Sequence, residues 1–126
     1  MPFLNDRVFD NGLTVLDTEA NRLDICSSEP TTYTAATSTA SLGNANGVNF
    51  PGIGSPAAGS PNGRQVTVNA VTNGSVTATG TATHYAITDT SGLRLLATGA
   101  LTSSQAVTSG NTFTTSSFTI RIPQAS

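Results

Sequence analysis

Short runs rich in Val and Thr alternate apolar with polar positions along the chain. In 64–71, Val66, Val68 and Ala70 share one side of an extended backbone, and Gln65, Thr67 and Asn69 share the other. A period of two is the signature of a strand with one face buried. In 81–89, Thr83, Tyr85 and Ile87 alternate with Ala82, His84, Ala86 and Thr88. Phe118, Ile120 and Ile122 alternate with Thr119 and Arg121. The run 93–101 is more continuously apolar, which predicts a central strand covered on both faces. Residues 22–27 predict a further strand, ended by Pro30. Asp89-Thr90-Ser91-Gly92 lies between two of these runs and predicts a tight hairpin turn. Asn11-Gly12, Asn46-Gly47, Asn62-Gly63, Asn73-Gly74 and Ser109-Gly110 punctuate the rest. Short strands with turns this frequent predict an all-β fold, an antiparallel β-sandwich or jelly-roll-like single domain over 1–126.

Three segments break the pattern. In 6–20, Leu13, Leu16 and Ala20 recur at helical spacing, continued by Leu23, and Asp6 is placed to cap a short helix. Asn11-Gly12 interrupts that spacing, so one short N-terminal helix and a helical turn followed by a strand both remain open. The stretch 31–41 is low in complexity, and its Thr-rich character also suits a polar strand. In 43–63, glycines and three prolines (Pro51, Pro56 and Pro61) leave Val48, Phe50 and Ile53 as the sizeable apolar groups. A structureless segment of that length in a small domain predicts a functional loop or interaction arm. Phe50 and Ile53 are then its natural anchors, and Phe50→Ala is expected to weaken assembly while leaving monomer stability unchanged.

Composition narrows the functional classes. The 126 residues include 22 Thr, 15 Ala, 14 Ser, 12 Gly and 10 Asn, and charged residues make up 10%. Average soluble domains carry roughly 25%. The chain has five Arg and no Lys or Trp. The missing lysine excludes Schiff-base chemistry, a P-loop lysine and a Lys–Asn isopeptide cross-link. No basic patch is available to track nucleic acid, and no run approaches the roughly 20 apolar residues that span a bilayer. Six of the seven acids lie in residues 1–30, which carry a net −4, while the remainder carries +2. This asymmetry predicts that the N-terminal segment, 1–20, faces something different from the rest. The N-terminus shows no basic n-region or apolar h-region, and the free Cys26 suits synthesis in a reducing cytoplasm.

Candidate chemistry is sparse. His84, Asp89 and a serine can be written as a triad, but no Gly-x-Ser-x-Gly elbow accompanies them. His84 reads better as a half-buried strand residue or subunit contact. Asp6, Asp10 and Asn11 do not follow the spacing of a Ca²⁺ loop. One Cys with one His does not assemble a zinc site of the usual kind. Gly52-x-Gly54 lacks the third glycine of a nucleotide loop, so no cofactor is expected. Asn73-Gly74-Ser75 matches a glycosylation sequon without an export signal beside it. Cys26 has no basic neighbour and reads as an inert buried thiol. The sequence thus predicts a protein that is not an enzyme.

Several blocks carry a resemblance. They are Phe3-Leu4-Asn5-Asp6-Arg7-Val8, Asp10-Asn11-Gly12-Leu13, the run 25–33 from Ile25 to Tyr33, and Asn62-Gly63-Arg64-Gln65-Val66-Thr67. Further on come Gly80-Thr81-Ala82-Thr83-His84-Tyr85-Ala86, Leu95-Leu96-Ala97-Thr98-Gly99-Ala100-Leu101, and the run 107–113 from Val107 to Phe113. Read together, they resemble small structural proteins of tailed-phage and prophage virion modules, among them head decoration (cement) proteins. The C-terminal half is also similar to small tail-fibre-type phage proteins. The chain departs from the pattern at Tyr85, where such proteins often have Trp, and in its long 43–63 loop. The resemblance implies a homotrimer on the outer surface of a phage head. It would bridge major capsid proteins and bind neither nucleic acid nor membrane. On that footing Phe3, Asp6, Arg7 and Phe9, with Phe50 and Ile53 of the arm, are expected to face the capsid or a neighbouring subunit. Two alternatives accompany this reading: a tail- or head-fibre component touching the host surface, and a carbohydrate-binding or glycan-processing domain. The absence of Trp and the presence of only Tyr33 and Tyr85 speak against the last.

Overall fold

The alternating runs form strands, and every pairing between them is antiparallel. A computed structural model describes residues 3–4, 14–46, 50, 52–54, 57–58 and 64–122; for 3, 4, 58, 64, 121 and 122 it describes the backbone alone. In chain order the elements are β1 (Phe3–Leu4), helix α1 (Thr14–Glu19), β2 (Arg22–Cys26), a π-helical turn (Ala35–Thr39) and β3 (Ser41–Asn46). Then come β4 (Ala57–Ala58), β5 (Arg64–Val68), β6 (Val71–Val76), β7 (Gly80–Asp89), β8 (Arg94–Val107), β9 (Thr112–Thr115) and β10 (Phe118–Ile122). Among the described residues these make a seven-stranded sheet, β1-β8-β7-β2-β3-β6-β9, and a three-stranded sheet, β10-β5-β4. The protein is therefore all-β and antiparallel, and among the described residues one short α-helix, α1, lies near its N-terminus. No helix among the described residues is long and apolar enough to cross a membrane.

One core joins the two sheets. Leu23 and Ile25 of β2 pair with Ile87 and Tyr85 of β7. They cluster with Val66 and Val68 of β5, Ile120 of β10, and Val15 and Leu16 of α1. Each fully buried Val, Leu or Ile contributes roughly 1.5–3 kcal/mol. The other face of β2, β7 and β8 is covered as well: Cys26, Ala86 and Leu95 pack with Ala36 and Ala40 around the π turn. Coverage on both faces explains the apolar run predicted as a central strand. A bulge sharpens the effect. Ile87 pairs with Ala97 and Thr88 with Leu95, so Leu96 is the extra residue, and it joins the main core while Leu95 serves the smaller cluster.

Two expectations are corrected. The segment 31–41 is not a polar strand. The Thr32 hydroxyl accepts the Ala35 N–H at 3.0 Å, the Thr37 hydroxyl donates to the Tyr33 carbonyl at 2.9 Å, and Ala40 N–H closes the π turn on Ala35 O at 2.8 Å. Local hydroxyl bonds and two small apolar contacts outweigh the β-propensity of Thr here. The segment 43–63 is likewise not one free arm. Residues 43–46 belong to β3, and Ala57 and Ala58 pair with Gln65 and Arg64. Gly54 N–H donates to Thr67 O at 2.9 Å, and Asn69 N–H donates to Gly52 O at 3.2 Å. These bonds lay 52–54 along β5.

The predicted hairpin forms between β7 and β8. Asp89 Oδ1 accepts the N–H groups of Ser91 and Gly92 at 3.0 and 3.2 Å, and Oδ2 meets Arg94 Nη1 at 3.3 Å. Farther along the same pair the ladder breaks. His84 pairs with Ala100 and Ala82 with Gln105, so Leu101 to Ser104 have no register partner on β7. This irregularity puts Ala82 in the cluster of Ile87 instead of that of Ala86, against the simple alternation of the sequence.

Candidate functional site

The irregular stretch of β8 forms one wall of a groove of about 640 Å³. The opposite wall is the crossover from β9 to β10, where Ser116 and Ser117 carry the chain from the large sheet to the small one. Leu23, Val71, Tyr85 and Phe118 supply its apolar lining. Thr102, Ser103, Thr114, Thr115 and Thr119 add hydroxyls around it. Among the described residues its lining contains no Asp, Glu, Arg, Lys, His or Cys.

Local structure fixes the lining. The Tyr85 and Phe118 rings, one from each sheet, lie with centroids 4.4 Å apart and tilted by 44°. Tyr85 pairs across the ladder with Gly99, where a Cβ would come within 2.6 Å of the Tyr85 ring and hydroxyl. Only glycine leaves the ring room to lie there. Gln105 Nε2 donates to Thr114 O at 3.2 Å and ties β8 to β9 at the groove's end. Burial pushes the Tyr85 phenol up to about 12, which keeps it a neutral hydroxyl that both donates and accepts. The groove therefore offers aromatic surface and neutral hydrogen bonds.

The titratable groups the fold brings together lie elsewhere. Asp24 on β2 is fully buried. It accepts Arg22 Nε and Nη2 at 2.7 and 3.0 Å and the Ser41 hydroxyl at 2.6 Å, while Arg22 Nη2 also reaches Thr37 O at 3.3 Å. This network ties β2, β3 and the π turn together. Burial raises the Asp24 carboxyl above its ordinary value, although Arg22 and Ser41 pull the other way. The hydrogen bond to Asp24 in turn holds Arg22 above its own. The two shifts point in opposed senses for the strength of the pair. The Asp24 direction governs, because the carboxylate is the fully buried partner and loses most hydration. Burial also pushes the Cys26 thiol up to about 12, so it stays protonated and unreactive. Arg94 lies 3.7 Å from Glu19 and 3.3 Å from Asp89.

The residues of the written triad do not converge. The Thr83 hydroxyl donates to Ser27 O at 3.0 Å and lies 2.9 Å from His84 Nδ1. With that hydroxyl proton already committed, Nδ1 is the donor of the second bond. Asp89 serves the hairpin turn. Among the described residues no group of three His, Cys, Asp or Glu is placed to hold a metal ion.

Of the residues expected to face a partner, Asp6, Arg7 and Phe9 lie outside the described residues. Phe3 sits on β1, where its backbone pairs with Thr98. Phe50 is half-buried and packs against the main core. Ile53 is 8% exposed, belongs to that core and bridges to Val68. This corrects its reading as a partner-facing anchor, because its apolar surface is covered by its own chain. Sequence reasoning missed Tyr85 and Phe118 as a site. The available signal was a run of hydroxyl residues, 114–119, leading into Phe118, with Tyr85 on a predicted strand beside the glycine-bearing 93–101 run. No family profile, curated protein or solved structure matches the chain.

Proposed function

We propose that this protein is a non-catalytic component of a tailed-phage virion: a head decoration protein that binds the major capsid protein on the outer surface and stabilises the shell as a homotrimer. The virion assignment rests on the sequence blocks described above. The geometric observation that carries the non-catalytic part is where the charged groups go. Arg22 with Asp24 braces two strands and a turn, and Asp89 with Arg94 closes a hairpin, while among the described residues the groove is lined by neutral side chains. A chain whose described charge pairs are committed to its own fold holds a partner by contact area and neutral hydrogen bonds. Three copies acting together raise the attachment strength, since the second and third contacts form at high effective concentration.

Capsids depleted of the protein provide the test. The purified chain is expected to rebind them and to raise their survival of heat or low salt. A chain that leaves heads bare contradicts the reading. Binding to host cells in place of heads favours the fibre alternative, for which the neutral aromatic groove is the supporting observation.

A further inference from the structure

We infer that the groove between the β8 bulge and the β9–β10 crossover is a binding site for a neutral oligosaccharide. The inference stands on the groove alone and holds whether the protein sits on a head or a tail.

Charge decides the first part. An anionic or cationic ligand entering this groove would lose hydration and, among the described residues, find no counter-charge in its lining. That excludes a phosphate backbone and acidic polymers as preferred occupants. Shape and polarity decide the second, because the fold brings Tyr85 and Phe118 together as the stacking surface that a chain without Trp did not lead one to expect. Tyr85 and Phe118 are both half-buried, so each keeps part of its ring open to the groove. Hydroxyls of Thr102, Ser103, Ser116 and Ser117 stand on the two walls. A pyranose has the matching two-sided character, a C–H face that lies on an aromatic ring and a rim of hydroxyls that pair with neutral donors and acceptors. The volume, about 640 Å³, lies within the range of ordinary ligand pockets.

The β8 irregularity separates a sugar from the other neutral occupant, an extended peptide strand. Strand addition needs a regular row of backbone donors and acceptors. Leu101 to Ser104 depart from the ladder register at the groove, and bulges of this kind terminate pairing. The site is also preformed. The Gln105–Thr114 bond and the ring contact between Tyr85 and Phe118 hold its walls before any ligand arrives, which lowers the ordering cost of binding.

The test is an array of immobilised oligosaccharides probed with the labelled full chain. It carries neutral hexose, deoxyhexose and N-acetylhexosamine oligomers together with uronic-acid, sialylated and sulfated ones. Binding is expected on neutral members. Ser103→Arg and Ser117→Arg, both at exposed wall positions, are expected to weaken the best binder at least tenfold with an unchanged melting temperature. Thr39→Arg, exposed on the π turn, should leave it unaltered. Tyr85→Phe keeps the packing and should weaken binding severalfold. Silence across the array, preference for acidic members, or indifference to both arginine substitutions overturns the inference. Any of these leaves the decoration reading to its own capsid-rebinding test.

Discussion

Leu93 stands in the left-handed region, with φ of 56° and 66% of its surface exposed. Its side chain contributes little packing at that exposure, yet its Cβ makes the conformation cost roughly 1–2 kcal/mol. Asn visits that region readily, so Leu93→Asn is expected to stabilise the fold by about 1 kcal/mol in urea unfolding. A loss of stability would show that the leucine is held there by a contact worth more than the strain. Asp24 offers a second test at this scale. Its raised folded value means that its contribution is fully present below the ordinary carboxylate pKa and is lost as pH rises through the folded value. Asp24→Asn mimics the protonated acid. It removes a charge whose burial is unfavourable but leaves Arg22 a weaker partner, so its loss at pH 7 should stay below the roughly 3–5 kcal/mol of a broken buried pair. The wild type should gain on the variant as the pH falls toward 4. Urea midpoints at the two pH values read both; a variant that loses several kcal/mol at pH 7 would show that the ion pair dominates.

At the scale of elements, Gly43 shows how closely the strands approach. A Cβ there would lie 2.5 Å from Ser75 O and 3.0 Å from Val76 Cα, both backbone atoms of the neighbouring strand β6. Neither can turn aside, so Gly43→Ala must part β3 from β6. We expect a loss of about 3 kcal/mol and a fall in melting temperature on the order of 10 °C. Gly54→Ala, whose nearest neighbour is Thr67 O at 3.8 Å, is the tolerated control. Much of the fold was legible at this scale because burial follows period two. Val66 and Val68 are buried while Thr67 between them is exposed, and Leu23 and Ile25 face one core. Alternation could not reveal the bulges at Leu96 and 101–104, since one extra residue shifts every side chain beyond it. Nor could it reveal the π turn, where threonine hydroxyls satisfy the backbone locally. Gly43 itself reads as the start of a loop until the β3–β6 pairing is seen.

Across the whole molecule, the arm expected at 43–63 is partly folded back on its own sheet. Phe50→Ala is therefore expected to lower stability by about 2 kcal/mol, because the ring's packing on the main core is removed. An unchanged urea midpoint would restore Phe50 to the role of a free anchor. The groove was less legible than the fold, because its lining comes from β2, β6, β7, β8, β9 and β10, which only the tertiary structure brings together. What the chain did declare was chemical restraint: few charges, many hydroxyls and one histidine. The role proposed on this basis is that of a protein that fastens neighbours together in many copies. Imaging intact virions with labelled copies of the chain tests it most directly. Such a role predicts label distributed over the outer surface of the head, in groups of three; label confined to the tail, or absent from the particle, would contradict it.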